Sequence, residues 1–221
     1  MNAVNLLKEI PFKNIDYKAL FNQQMEELKK LGFEPEILKS FDDKKDGLLK
    51  MMAVGVHSND NKDCIPFIPI VPVNMVSFVQ QLNQIAEPFG SVGVTGENFQ
   101  RFFSHVEKAI DISNAKPKIY FLLNVNFKDY PERTDGCEDI KVSEKKLGLE
   151  ILNHNETLSV IHFAKRIFEI YKVIMAPGLS WDNSECPYYK LKNNDEFFLS
   201  WIGTYMKPED KTGFAVCQVR F

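Results

Sequence analysis

Residues 64–73 read CIPFIPIVPV, ten residues without a charge and with prolines at 66, 69 and 72. A run so apolar belongs in an interior. Yet each proline lacks the backbone N–H that a strand in the middle of a sheet must donate to its neighbour. The run is therefore expected to be extended, largely buried, at or near a sheet edge, and covered by the helix that begins near Asn74. It is too apolar to be an exposed proline-rich peptide ligand. An edge of this kind can pair with a strand of a partner protein or of a second copy of the chain.

Hydrophobic periodicity assigns the other elements. Tyr17, Leu20, Phe21, Met25, Leu28 and Leu31 form one helical stripe, which Asn14 or Asp16 can cap and Gly32 can end. A second helix is expected from Pro35 to about Phe41, broken by the charged DDKKDG at 42–47 and followed by a short apolar run over 48–56. The polar stretch 58–63 is a loop. Met75, Phe78, Val79, Leu82 and Ile85 mark a helix that Asn74 can cap. Glycines 90, 93 and 96 predict turns, with a short helix over 98–110 after them. The strongest strand signal is KIYFLLNVNF at 118–127, apolar on both faces at its centre and so internal to a sheet. A charged loop over 130–139 leads to helices at about 143–152 and 159–171. Short strands follow near 187–192, 196–202 and 213–221.

That order predicts an α+β fold, with a mixed or antiparallel sheet flanked by helices, a helical N-terminal part and a strand-rich C-terminal part. No repeat or low-complexity linker divides the chain, so residues 1–221 are expected to form a single domain. The alternative boundary near 58–63 sets off a small helical subdomain, residues 1–57. Hydrophobic residues make up 44% of the chain, 18 of them Phe, which excludes wholesale disorder. The net charge of −3, from 27 basic and 30 acidic side chains, offers no concentrated basic patch, so neither nucleic acid nor an anionic membrane is an expected partner. No uncharged run approaches the roughly 20 residues that span a bilayer, and MNAVNLLKEIPF is too short and too charged for a secretory signal core. A cytoplasmic location is expected.

Chemistry is sparsely marked. There is no Walker-type loop, G-x-G-x-x-G, G-x-S-x-G or H-E-x-x-H pattern. GSVGVTG at 90–96 is followed by Glu97, which would repel an anion at a helix start. Cys64, Cys137, Cys186 and Cys217 show neither C-x-x-C spacing nor a neighbouring histidine, so no metal, cofactor or disulfide framework is expected. His162 shares a polar stripe with Lys165, Arg166 and Glu169 and reads as solvated, as does His105. His154, in the loop NHNE, is a candidate acid or base, or a hydrogen-bonding turn residue. In the last strand, alternation puts Ala215, Cys217, Val219 and Phe221 on one face. Cys217 is then a small core residue or, with access and a lowered pKa, a nucleophile. Arg220 anchors a carboxylate of the fold or an acidic ligand, the first being preferred. Trp181, within the polar SWDNSE, suits a pocket rim, and Trp201 a strand core or pocket wall.

The C-terminal half also resembles a bacterial family of uncharacterised function. The shared pattern is the Leu-x-Trp strand Leu199-Ser200-Trp201 followed by Gly213, Ala215, Cys217 and Arg220 near the end. Ile65-Pro66-Phe67, the strand from Tyr120 to Val125 and the helix leading into Leu31-Gly32-Phe33 are similar as well. Members carry Thr and a pair of acids opening the penultimate helix, where this chain has Ser159, Ile161 and His162; Ser159 can still cap. The resemblance implies a shared fold and no activity. Two functions remain open. One is a non-catalytic binding or interaction module. The other is an enzyme of unrecognised type, with Cys217 as nucleophile, or with Arg220 and Trp181 binding an acidic substrate and His154 as acid or base.

Overall fold

The computed structural model describes residues 15–55, 64–86, 91–94, 118–131, 134–164, 167–179, 185–192, 196–203 and 211–221. The loop expected at 58–63 and the helix expected over 98–110 lie outside these residues. The helices are α1 (Tyr17–Lys30), α2 (Pro35–Ala53), α3 (Phe78–Ala86), α4 (Cys137–Lys146), α5 (His154–Phe163) and α6 (Ile167–Ile170). The strands are β1 (Ile65–Ile70), β2 (Ser91–Val94), β3 (Tyr120–Asp129), β4 (Glu150–Ile151), β5 (Val173–Met175), β6 (Glu185–Lys192), β7 (Glu196–Gly203), β8 (Thr212–Cys217) and β9 (Val219–Arg220). They join in the order β1-β3-β8-β5-β6-β7-β2, with β4 on β8 and β9 on β3. The β2–β7 and β5–β8 pairs are parallel and the others antiparallel. The fold is thus α+β with a mixed sheet, as the element order predicts. No described helix is long and apolar enough to cross a membrane.

The proline-rich run becomes β1, an edge strand, and all six of its residues are buried. Its register on β3 shows how the missing donors are accommodated. Phe121 exchanges both backbone hydrogen bonds with Phe221 on the side away from β1, each 2.8 Å. Pro69, opposite Phe121, therefore sits where no N–H is required towards β3. Pro66 falls opposite Asn124, where one is required, and that pair drops out of the ladder. Asn124 takes up the difference by turning to φ 52°, a left-handed conformation that asparagine tolerates better than most residues. Its side-chain N–H donates to Gln218 Oε1 at 2.7 Å. The alternation of β3 shifts phase there: beyond it the even residue Tyr130 bonds towards β8, through Thr212.

The cover over β1 differs from the one expected. The sequence assigns it to the helix after Asn74, but α3 starts later, at Phe78, with the Ser77 hydroxyl accepting from Gln80 N–H. Met75 and Val79 are exposed, so the buried stripe shrinks to Phe78, Leu82 and Ile85. The helices α1 and α2 cover one face of β1 and β3: Phe121 lies 6.1 Å from Phe21, 5.2 Å from Phe41 and 6.0 Å from Phe67, ring centre to ring centre. From α1, Gln24 Nε2 donates to the outward carbonyl of Phe67 at 2.8 Å. From the other side, Asn155 of α5 and Gln81 of α3 both donate to the carbonyl of Val71. Amide side chains thus supply partners that a neighbouring strand would otherwise provide.

Several boundaries move for identifiable reasons. Asp16, capping Lys18 and Ala19 N–H, and Gly32 at φ 79° bound α1 as expected. The α2 helix runs straight through DDKKDG, because its buried stripe of Ile37, Phe41, Leu48 and Met52 continues across that segment while the charges face out. Gly47 inside it leaves room for Phe221, whose ring would stand 3.3 Å from a Cβ there. The charged loop expected over 130–139 gives way at Cys137 to α4, earlier than predicted. The predicted helix over 159–171 starts at His154 and is followed by the short α6. Alternation through Phe221 fails beyond Cys217: Gln218 turns aside to Asn124, and Val219 is exposed.

Gly213 of β8 carries the Tyr171 ring on its Cα, and an added Cβ would meet that ring at 2.6 Å. Gly213→Ala is expected to lower stability by about 1–3 kcal/mol through overpacking, read as a fall in urea midpoint with an unchanged m-value.

Candidate functional site

Glu156, in the first turn of α5, is a buried carboxylate with four donors. The pattern Asn153-x-x-Glu156 forms a reciprocal cap: Asn153 Oδ1 accepts from Glu156 N–H, and Glu156 Oε2 from Asn153 N–H, each at 2.9 Å. Arg220 of β9 grips the same carboxylate through Nε at 2.6 Å and Nη2 at 2.9 Å. Tyr120 of β3 donates its hydroxyl to Oε1 at 2.8 Å. Arg220 also donates to the Ile151 carbonyl at 3.0 Å and pairs with Glu150. Burial, chiefly, and the Glu156 charge push the Tyr120 hydroxyl far above its ordinary pKa, so it stays a donor. This is the first of the two roles read for Arg220, a carboxylate of the fold. Glu156 escaped the reading of single residues, although the N-x-x-E cap signals a helix start at that point; Ser159, the cap expected instead, is mid-helix and donates to the Asn155 carbonyl.

Of the other sequence candidates among the described residues, His154 does not join Arg220, whereas Cys217 lies near its cluster. Cys217 is fully buried, its thiol beside the Tyr120 hydroxyl. His154 is buried at the first position of α5, two residues before Glu156, so it faces away from that cluster. Its ring stacks edge-on against Phe78 at 4.5 Å, and neither nitrogen finds a hydrogen-bond partner among the described residues. Contrary to the solvated reading, His162 is buried too, against Phe163. Trp181 and His105 lie outside the described residues, and of Trp201 only the backbone, in β7 opposite Pro187, is described. Among the described residues no group of three His, Cys, Asp or Glu side chains is close enough to hold a metal ion.

A concavity of about 420 Å³ opens instead at the junction of β3, β8 and α4. Its carboxylates are Asp129, at the end of β3, Asp135, in the turn before α4, and Asp139 and Glu144, on α4; Phe214, Ile140 and Pro131 supply apolar wall. The turn is fixed by Thr134, whose hydroxyl accepts from Gly136 N–H and donates to Gly136 C=O. Spacing of i, i+1, i+4 and i+5 sets Asp139, Ile140, Ser143 and Glu144 on one half of α4. Glu144 is neutralised by Lys128. Asp129 accepts from Tyr171, whose pKa rises to about 12 through burial and that bond. Asp135 and Asp139 have no partner among the described residues and face solvent. The sequence reads 130–139 only as a charged loop; the convergence of its acids with Asp129 and Glu144 arises from folding.

No protein-family model matches the chain, and no curated protein or solved structure matches it significantly. The C-terminal motif therefore rests on its geometry: Gly213 admits Tyr171, Ala215 and Cys217 fill the core, and Arg220 holds Glu156.

Two predictions follow from these clusters. Arg220→Met leaves the Glu156 charge buried without its principal partner and should cost about 3–5 kcal/mol in urea unfolding, whereas adding Glu156→Met should recover part of that loss. Burial holds His154 down to about 3, against an ordinary 6.5. Above pH 6.5 the ring is neutral in both folded and unfolded states. As pH falls from 6.5 towards 3, only the unfolded chain takes up the proton, so folding stability drops by up to about 1.4 kcal/mol per pH unit. His154→Leu should flatten that part of the stability–pH curve while leaving stability at pH 7 unchanged or higher.

Proposed function

We propose that this protein is a non-catalytic binding module whose ligand is a small aliphatic amine with two or more positive charges. The observation that carries this reading is the pair Asp135 and Asp139, unpartnered among the described residues, beside an apolar wall in a concavity of about 420 Å³. Carboxylates only accept hydrogen bonds at neutral pH, so the complementary ligand donates them, as an ammonium does. Phe214 and Ile140 offer contact for the methylenes between charges, and an aromatic face also attracts a cation. A pocket of this volume suits a small molecule. Recruitment of a partner strand at residues 64–73 gains no support: β1 is buried throughout and its outward Phe67 carbonyl is occupied by Gln24. The enzyme alternative gains none either, since Cys217 is buried and Arg220 is spent on Glu156.

The test is thermal unfolding at low salt with spermidine, and with a neutral diol of similar length. Spermidine at ten times its dissociation constant should raise Tm by about 2–5 °C, less at high salt, and the diol should not. The exposed pair Asp135→Asn/Asp139→Asn should fold normally and lose the shift. No shift with spermidine, or an equal shift in the double variant, would overturn the reading.

A further inference from the structure

Cys137 and Cys186 are 49 positions apart in sequence, yet their side chains meet within hydrogen-bonding contact. Cys137 is the first residue of α4 and Cys186 lies near the start of β6; both are fully buried. They share an apolar cluster with Tyr130, Ile140, Ile151, Val173, Met175, Phe214 and Val216. The Tyr130 hydroxyl lies near both sulfurs and has no hydrogen-bond partner among the described residues. A polar group is thus buried near two thiols in an otherwise apolar setting, at a cost in stability. Two sulfurs already in contact need only small side-chain rotations to reach bonding distance.

We propose that Cys137 and Cys186 are a redox modification site that closes to a disulfide under hydrogen peroxide. This holds whether or not the concavity binds an amine. Cys137 is assigned as the attacking sulfur from its place in the first turn of α4, where the helix dipole favours negative charge; both thiols are equally buried. The Cys137 thiolate attacks one peroxide oxygen; the S–O bond forms, the O–O bond breaks, and hydroxide leaves to become water with the thiol's proton. The Cys186 sulfur then attacks the Cys137 sulfenic acid; the S–S bond forms, the S–O bond breaks, and a second water leaves carrying the Cys186 proton. Two thiols and one peroxide give one disulfide and two waters.

Access comes from α4 itself. Three side chains of that helix are buried, Cys137, Ile140 and Glu144, two of them in its first turn, so admitting peroxide requires a local opening that lifts Cys137 and Ile140 from the cluster. Once formed, the bond ties α4 to β6 and closes a loop of about fifty residues, which restricts the unfolded chain.

The experiment treats the whole protein with hydrogen peroxide, blocks remaining thiols, and maps linked peptides by mass spectrometry beside thermal unfolding. The expected result is one linked pair, 137 with 186, a Tm higher by roughly 10 °C, and return to the starting value with dithiothreitol. Cys137→Ala and Cys186→Ala should each abolish the rise; the linked peptide in the unaltered protein needs neither variant to fold. Linkage through Cys64 or Cys217, oxidation of Cys137 or Cys186 to sulfinic acid without linkage, or no oxidation of the pair would each overturn the proposal.

Discussion

A carboxylate cannot be buried as an ion unless its lone pairs are occupied, and Glu156 organises its surroundings by that requirement. Its donors come from the Asn153 backbone, Tyr120 on β3 and Arg220 on β9. Through Arg220 the network reaches the Ile151 carbonyl of β4 as well. One side chain thereby fixes the start of α5 against three strands. It also explains why β9 follows β8 after the interruption at Gln218, since Arg220 must arrive on the side where α5 presents its first turn.

The proline-rich strand imposes a second condition, on the sheet rather than on a helix. β3 needs donors on both sides and receives too few from β1, because Pro66 falls where one is due. The left-handed Asn124 is the local answer, and the change of phase it brings passes into β8 and β9. An edge strand with exposed carbonyls would invite another chain. Here Gln24 occupies the Phe67 carbonyl, Gln81 and Asn155 occupy the Val71 carbonyl just past the strand, and all six residues of the strand are buried. Edge position and availability for pairing are therefore separate properties, and this strand has the first without the second.

The oxidisable pair and the acidic concavity meet at α4. Cys137 and Ile140 point into the apolar cluster beneath it, while Asp139, Ser143 and Glu144 line the concavity beside it. Ile140 and Phe214 belong to both. A staple at the first turn would therefore act on the element that carries half the carboxylates. The helix is otherwise held by a narrow stripe, which makes its position sensitive to a single covalent bond.

The properties legible in the sequence are those that a few neighbouring residues determine. Proline lacks its donor whatever surrounds it, which puts residues 64–73 at or near a sheet edge. The dense β-branched and aromatic run at 118–127 had to be an internal strand, and the stripe of α1 had to be a helix. Where the sequence reading failed, the deciding interaction came from far along the chain: α2 crosses DDKKDG because its apolar stripe has aromatic residues of β1 and β3 to pack against. Tertiary structure alone decided that Arg220 meets Glu156, that His154 loses water and its proton affinity, that Cys137 finds Cys186, and that Asp129 joins Asp135 and Asp139. Each is a meeting of side chains separated by several to many residues. Sequence pattern records periodicity and donor count, whereas charge compensation and burial depend on which distant surfaces the fold brings into contact.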